Sequence, residues 1–278
     1  MPPAKKPSTP PADGGDKLPP RRQNAGTAKQ KALPRQPAMP SPDSVSQIEK
    51  VLLALEQALL SQRLWERPAQ IPLASLARRE QELLRGILGE GATVVEAPGT
   101  DARTAVATSF SGVWLTGKQS GAEGLSYTID VGLLPAFVGE KTAALPALAL
   151  PPSSLASESV AAWAVLRELV EKARAWEQEL RPCEINLLLH PLSPADYEQL
   201  SGFLGRGPVI GWMEGWCRWW LFATQWRNVW RIEVRSSAGR CEASLLEIGR
   251  CPAVLTFPQS AFLVSARRVR RLLELYGE

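Results

Sequence analysis

Four cysteines and one histidine are the side chains here best suited to hold a soft metal or form a nucleophile–base pair. Cys183, Cys217, Cys241 and Cys251 are separated by 33, 23 and 9 residues, no Cys-x-x-Cys occurs, and His190 stands alone. Structural zinc sites draw four such ligands from closely spaced pairs. This spacing therefore argues for no metal and no cofactor, and the thiols read as reduced packing residues. Nucleophile elbows, phosphate loops, dinucleotide fingerprints and metal triads are all missing from the sequence. Gly202-x-x-Gly205-x-Gly207 falls at a helix end, not at the strand-to-helix turn a phosphate cradle requires. Acid–base work would be left to carboxylates such as Asp130 and Glu247, whose matching strand-end positions suggest solvated or turn-capping roles. The chain reads as non-catalytic.

The densest chemistry is aromatic. Gly205–Trp230 holds six of the ten tryptophans. Trp212, Trp216, Cys217, Trp219, Trp220 and Trp226 are the candidate partner-binding residues. In a strand Trp219 and Trp220 point to opposite faces, one toward a core and one outward. Exposed aromatics beside a hairpin are a protein-binding signature. A large interface between modules would absorb them equally well, and both readings stand at this level.

The elements that must position these residues begin after a tail. Residues 1–43 hold eleven of the 24 prolines with few large apolar residues, a composition expected to be disordered. Residues 1–40 carry eight Lys/Arg against Asp13 and Asp16, so the rest of the chain sums to about −2 despite the overall +4. Composition thus makes no case for nucleic acid in the folded part. A nucleic-acid-binding role remains the alternative, using the tail, Arg267–Arg271, and Arg218, Arg227 and Arg231 among the tryptophans. No apolar run approaches 18 residues, so no membrane span is expected. Arg21-Arg22 is followed by Gln-Asn-Ala-Gly, not by an apolar segment, so an export signal is rejected and the expected location is cytoplasmic.

Periodicity predicts a helix from Ser44 through Leu59 and a second through Leu88, ended by Gly89. Short strands are expected over 92–96, 103–110, 112–118 and 125–131. A surface linker over 143–154 and a long helix over 157–180 come next. A strand over 184–189, a helix capped by Ser193-Pro194, and strands over 208–213, 217–223, 229–235 and 242–248 follow. Val269, Leu272, Leu273 and Tyr276 mark a last short helix.

The second half echoes the first. Leu88-Gly89-Glu90-Gly91 matches Leu204-Gly205-Arg206-Gly207 at an offset of 116, as does Ala107-Thr108-x-Phe110-x-x-Val113-Trp114 with Ala223-Thr224-x-Trp226-x-x-Val229-Trp230. Asp130-Val131-Gly132-x-x-Pro135-Ala136 matches Glu247-Ile248-Gly249-x-x-Pro252-Ala253 at 117. The predicted class is α+β: two tandem repeats of an α-β-β-β-β unit with antiparallel sheets, linked by a long helix after a disordered tail. The expected divisions are tail 1–43, N-terminal repeat 44–142, linker and connecting helix 143–181, and C-terminal repeat 182–278. Trp114 and Trp230 hold one position in both copies, which favours a shared packing role. The Trp212–Trp220 aromatics have no counterpart in the first copy.

Ile185-Asn186-Leu187-Leu188-Leu189-His190-Pro191-Leu192-Ser193-Pro194-Ala195-Asp196, then Leu204-Gly205-Arg206-Gly207-Pro208-Val209, then Asn228-Val229-Trp230-Arg231, resemble the C-terminal region of the HupH/HyaF hydrogenase expression proteins. Leu88-Gly89-Glu90-Gly91 and Gly112-Val113-Trp114 resemble that family's preceding repeat. The likeness covers about residues 45–277. It implies an accessory, chaperone-like protein of [NiFe]-hydrogenase maturation. Its partner would be an immature hydrogenase subunit, the iron–sulfur small subunit favoured, with other accessory proteins possible partners too. Cys217 falls where the family tends to carry a cysteine.

Overall fold

The computed structural model describes residues 42–120, 124–150 and 153–276. The predicted tail lies outside the described residues up to position 41. Helix α1 (Pro42–Ser61) buries Ile48, Val51, Leu52, Leu55 and Leu59, the stripe that 3–4-residue spacing dictates. It is followed by β1 (Ala69–Pro72), α2 (Arg78–Leu88), β2 (Thr93–Ala97), β3 (Arg103–Ala107), β4 (Val113–Ser120), β5 (Gly124–Val131) and α3 (Ala136–Ala143). Beyond these lie α4 (Ser153–Glu158), α5 (Val160–Glu179), β6 (Cys183–Asn186), α6 (Pro194–Leu204), β7 (Ile210–Met213), β8 (Cys217–Ala223), β9 (Val229–Ser236), β10 (Cys241–Ile248) and α7 (Ser260–Tyr276). Among the described residues no helix is long and apolar enough to cross a membrane.

The class is α+β, but the strands form one sheet where separate sheets were expected. Its order is β1-β5-β4-β3-β2-β7-β8-β9-β10-β6, antiparallel throughout. The join is the β2–β7 ladder, where Thr93, Val94, Val95 and Glu96 face Met213, Trp212, Gly211 and Ile210. Each strand would otherwise leave a bare edge, and pairing satisfies both.

Three clusters fill the core. On one face Val95, Ala97, Ala105, Trp114, Leu221, Trp230 and Ile232 pack under Phe137 and Val138 of α3 and Val254 and Leu255 of a 3-10 turn. The other face is covered at its two ends. At the β1–β5–β4 end lie α1, α2 and α7; at the β9–β10–β6 end lie α5 and α6. The predicted connecting helix, α5, thus buries Ala162, Val165, Leu166, Leu169 and Trp176 against β6, β10 and α6. Helix α7 lies in the interval predicted for the C-terminal repeat, yet its Phe262, Ala266 and Val269 pack with α1.

Strand β1 was hidden by Pro68 and Pro72; it is a sheet edge, and Pro72 sits at its end, where proline is tolerated. Residues predicted as a strand to Leu189 pair only as far as Asn186, after which Leu187–Leu189 make a 3-10 turn.

Candidate functional site

Strand alternation sorts the candidates by face. On β8, Cys217, Trp219, Leu221 and Ala223 point into the cluster around Trp230, so Cys217 and Trp219 are partly buried packing residues. Arg218, Trp220 and Phe222 point the other way. Trp220 lies opposite Trp212 of β7, with ring centroids 6.1 Å apart, and its ring is within 11° of parallel to that of Phe222 at 6.4 Å. Trp216, in the β7–β8 connection, is 99% exposed. Trp226 stands apart: it stacks on Phe203 of α6 at 5.3 Å and donates its indole N–H to the Phe203 carbonyl at 2.9 Å. The structure therefore brings Trp212 and Trp220 together, leaves Trp216 at the hairpin, and divides Cys217, Trp219 and Trp226 among packing positions.

The Trp212–Trp220 pair belongs to a longer row. Leu115, Val106, Val94, Trp212 and Trp220 stand directly opposite one another on successive strands β4, β3, β2, β7 and β8. All five are half-buried. They lie between the helices at the two ends of the sheet, and at the α2 side the row runs into an open groove of about 230 Å³ lined by Arg85, Thr104, Val106, Leu115 and Tyr127. Val94, Val106 and Leu115 were not candidates, because only the sheet order aligns them with the tryptophans; Phe222, also not a candidate, shares the face of Trp220 by alternation along β8.

Charge borders this row on β8 and β9. Arg218 is directly opposite Arg235, and Trp220 opposite Glu233. Glu233 accepts from Arg231 at 2.7 Å and from Arg235 at 3.2 Å, while Arg218 pairs with Glu214 at 3.4 Å. Other arginines of the nucleic-acid alternative serve the fold. Arg268 donates to the Ser109 carbonyl at 2.7 Å and lies over the Phe110 ring, and Arg270 pairs with the buried Glu56 at 2.7 Å.

Asp130 and Glu247 cap turns, but they are buried and not solvated. Asp130, 0% exposed, accepts from Thr116 at 2.7 Å, Gln70 at 2.9 Å and the Ala136 N–H at 3.3 Å. Glu247 accepts from the Ala253 N–H at 2.8 Å; burial raises its carboxyl above the ordinary range, the Ala253 bond opposes this, and Glu184 adds to the rise. Trp114 and Trp230 are both buried, and the Trp230 indole donates to the Gly249 carbonyl at 3.1 Å. Among the described residues no three His, Cys, Asp or Glu side chains are grouped to hold a metal. The geometry offers an apolar, arginine-edged surface.

Residues 159–276 match the model of the HupH hydrogenase expression protein C-terminal conserved region. The hydrogenase expression/formation protein HupQ of Azotobacter chroococcum mcd 1 is 29% identical over 244 residues, 86% of each chain. HoxQ of Azotobacter vinelandii is 29% identical over 247 residues, again 86% of each, and HupH of Rhizobium leguminosarum bv. viciae 28% over 205 residues, 71% of each. The solved structure of hydrogenase expression protein HupH from Thiobacillus denitrificans ATCC 25259 matches 43% of this chain and 98% of its own, at 27% identity and a TM-score of 0.38. Along most of its length the chain is similar to hydrogenase expression/formation proteins.

Proposed function

We propose that this protein is a non-catalytic accessory factor of [NiFe]-hydrogenase maturation, holding an immature hydrogenase subunit in the cytoplasm before assembly. The iron–sulfur small subunit is the favoured client, with other hydrogenase accessory proteins as further partners. The observation that carries this reading is the half-buried Trp212–Trp220 pair beside the fully projecting Trp216. Large aromatics clustered in such a setting are typical anchors of protein–protein contacts. The names of the relatives supply the hydrogenase context. Cys217 and Trp219 support the same hairpin from below, and Trp226 fixes the neighbouring turn against α6.

The same reading takes the sheet as two copies of one unit. In its support, the order outward from the join is β2, β3, β4, β5, β1 on one side and β7, β8, β9, β10, β6 on the other. Each half carries a carboxylate that caps the N–H six residues on.

The test is affinity capture with the full chain from cells expressing the hydrogenase operon. The small subunit should be recovered, and Trp212→Ala/Trp220→Ala and Trp216→Ala should each lower recovery with the circular dichroism unchanged. Recovery of no hydrogenase subunit would sink the function. Full recovery by folded tryptophan variants would sink the site alone.

A further inference from the structure

The open row has a chemical polarity that selects its occupant. Across five strands spaced about 4.8 Å apart it extends roughly 19 Å, the length of about six residues of extended chain. Its floor is apolar from Leu115 to Trp220. Beyond Trp220 along β8 stands Arg218, directly opposite Arg235, and like charges in direct register repel. Arg218 pairs with Glu214, and Arg231 and Arg235 share the single carboxylate of Glu233. The Arg235 Nε is buried with no hydrogen-bond partner. On the opposite side of the row, Glu96 faces Ile210 across the β2–β7 ladder and accepts from Thr104 at 3.4 Å. The border at Arg218 and Arg235 thus carries two guanidinium groups, while the other carries Glu96, with Arg231 farther along that side opposite Phe222.

Resting on the partner-binding reading above, we propose that this face docks an apolar client segment bearing a carboxylate at one end. The apolar side chains lie over Val94, Trp212 and Trp220, and the carboxylate sits between Arg218 and Arg235. Guanidinium groups bind carboxylates through paired, charge-assisted hydrogen bonds, and an acidic group here relieves the Arg218–Arg235 repulsion. A basic group at the same place adds to that repulsion.

Fluorescence anisotropy on the full chain tests this with labelled, C-terminally amidated peptides of about ten residues, Leu/Ala/Ser-rich and ending in two Asp or, as the control, two Lys. The Asp peptide should bind at least tenfold more tightly than the Lys peptide. Arg218→Glu/Arg235→Glu should invert that order, and Trp212→Ala/Trp220→Ala should weaken the Asp peptide at least tenfold, with circular dichroism confirming each fold. Equal or tighter binding of the Lys peptide, binding unchanged in the arginine variants, or no peptide binding at all would overturn the proposal. So would oligothymidylate competing at the same face, since that places nucleic acid there. Capture of the small subunit, measured separately, decides the accessory role, and it can persist when every peptide fails.

Discussion

Val95 lies directly opposite Gly211 in the β2–β7 ladder, and the two are 116 residues apart, the offset of the internal sequence match. The neighbouring pairs, Val94 with Trp212 and Glu96 with Ile210, are disposed evenly about this one. A Cβ added at Gly211 would come within 3.2 Å of the Val94 carbonyl and 3.4 Å of Val95 Cγ2. Only one of the two positions has room for a branched side chain.

Gly211→Val is accordingly expected to loosen the join between the halves. The cost should be about 1–3 kcal/mol, as for other overpacked interiors, read from the urea midpoint. An unchanged midpoint would contradict this reading of the ladder.

Gly207 and Gly202 carry opposite predicted signs. A Cβ at Gly207 would fall 2.2 Å from the Thr224 carbonyl oxygen, a backbone atom that cannot swing away. Gly207→Ala should therefore destabilise by about 3 kcal/mol. Gly202, inside α6, has nothing within 4 Å of an added Cβ. Gly202→Ala should stabilise by about 0.5–1 kcal/mol through helix propensity. Thermal melts of the two variants would test the contrast.

Asp130 satisfies two side-chain donors and the first backbone N–H of α3 from a fully buried position. Asp130→Ala leaves those donors unpaired in the interior and should cost on the order of 3 kcal/mol. Chemical denaturation at neutral pH measures it directly.

Glu247 predicts a pH signature. Burial lifts its carboxyl above the ordinary value of 4.5, so the folded protein holds this proton more tightly than the unfolded chain does. Its contribution to stability is complete below the unfolded value and is lost as pH rises through the lifted folded value. Glu247→Gln does not titrate and can still accept from the Ala253 N–H. Wild type should lose stability relative to this variant as pH rises above 4.5, and a flat difference on the neutral side of that value would refute the assignment.

Thiol reactivity follows burial in the same way. The Cys251 thiol, 3% exposed, is pushed up to about 12 by its surroundings, with Glu247 adding to the effect, whereas Cys241 is exposed. The thiolate is the reacting species. A disulfide reagent at pH 8 should modify Cys241 early, and Cys251 only after unfolding. Cys241→Ser should remove the early phase.

Local pattern carried much of this architecture. Strands β8, β9 and β10 and helices α1, α2 and α6 follow from alternation and 3–4-residue spacing, because apolar side chains recur at the period of each element. Strand β1 did not, since a four-residue strand that follows one proline and ends in another carries almost no periodic signal. The docking of α7 on α1 joins residues about 200 apart, and no local spacing encodes that. The site was legible by half. Alternation separates Trp219 from Trp220, but only the pairing of β2 with β7 extends the tryptophans into a row with Val94, Val106 and Leu115.

The placement of α7 also bears on how the chain must be made. The strands of the first half are complete by Val131, yet α1 lacks its packing partner until residues 260–276 exist, and β2 remains an open edge until 210–213 arrive. A ribosome adding roughly 5–20 residues per second leaves that half unsealed for several seconds at the least. During that interval the bare β2 edge can accept the β7 strand of another copy as readily as its own. Strand-exchanged dimers are therefore the misassembly expected of this chain, and slower translation beyond Val131 should increase their yield.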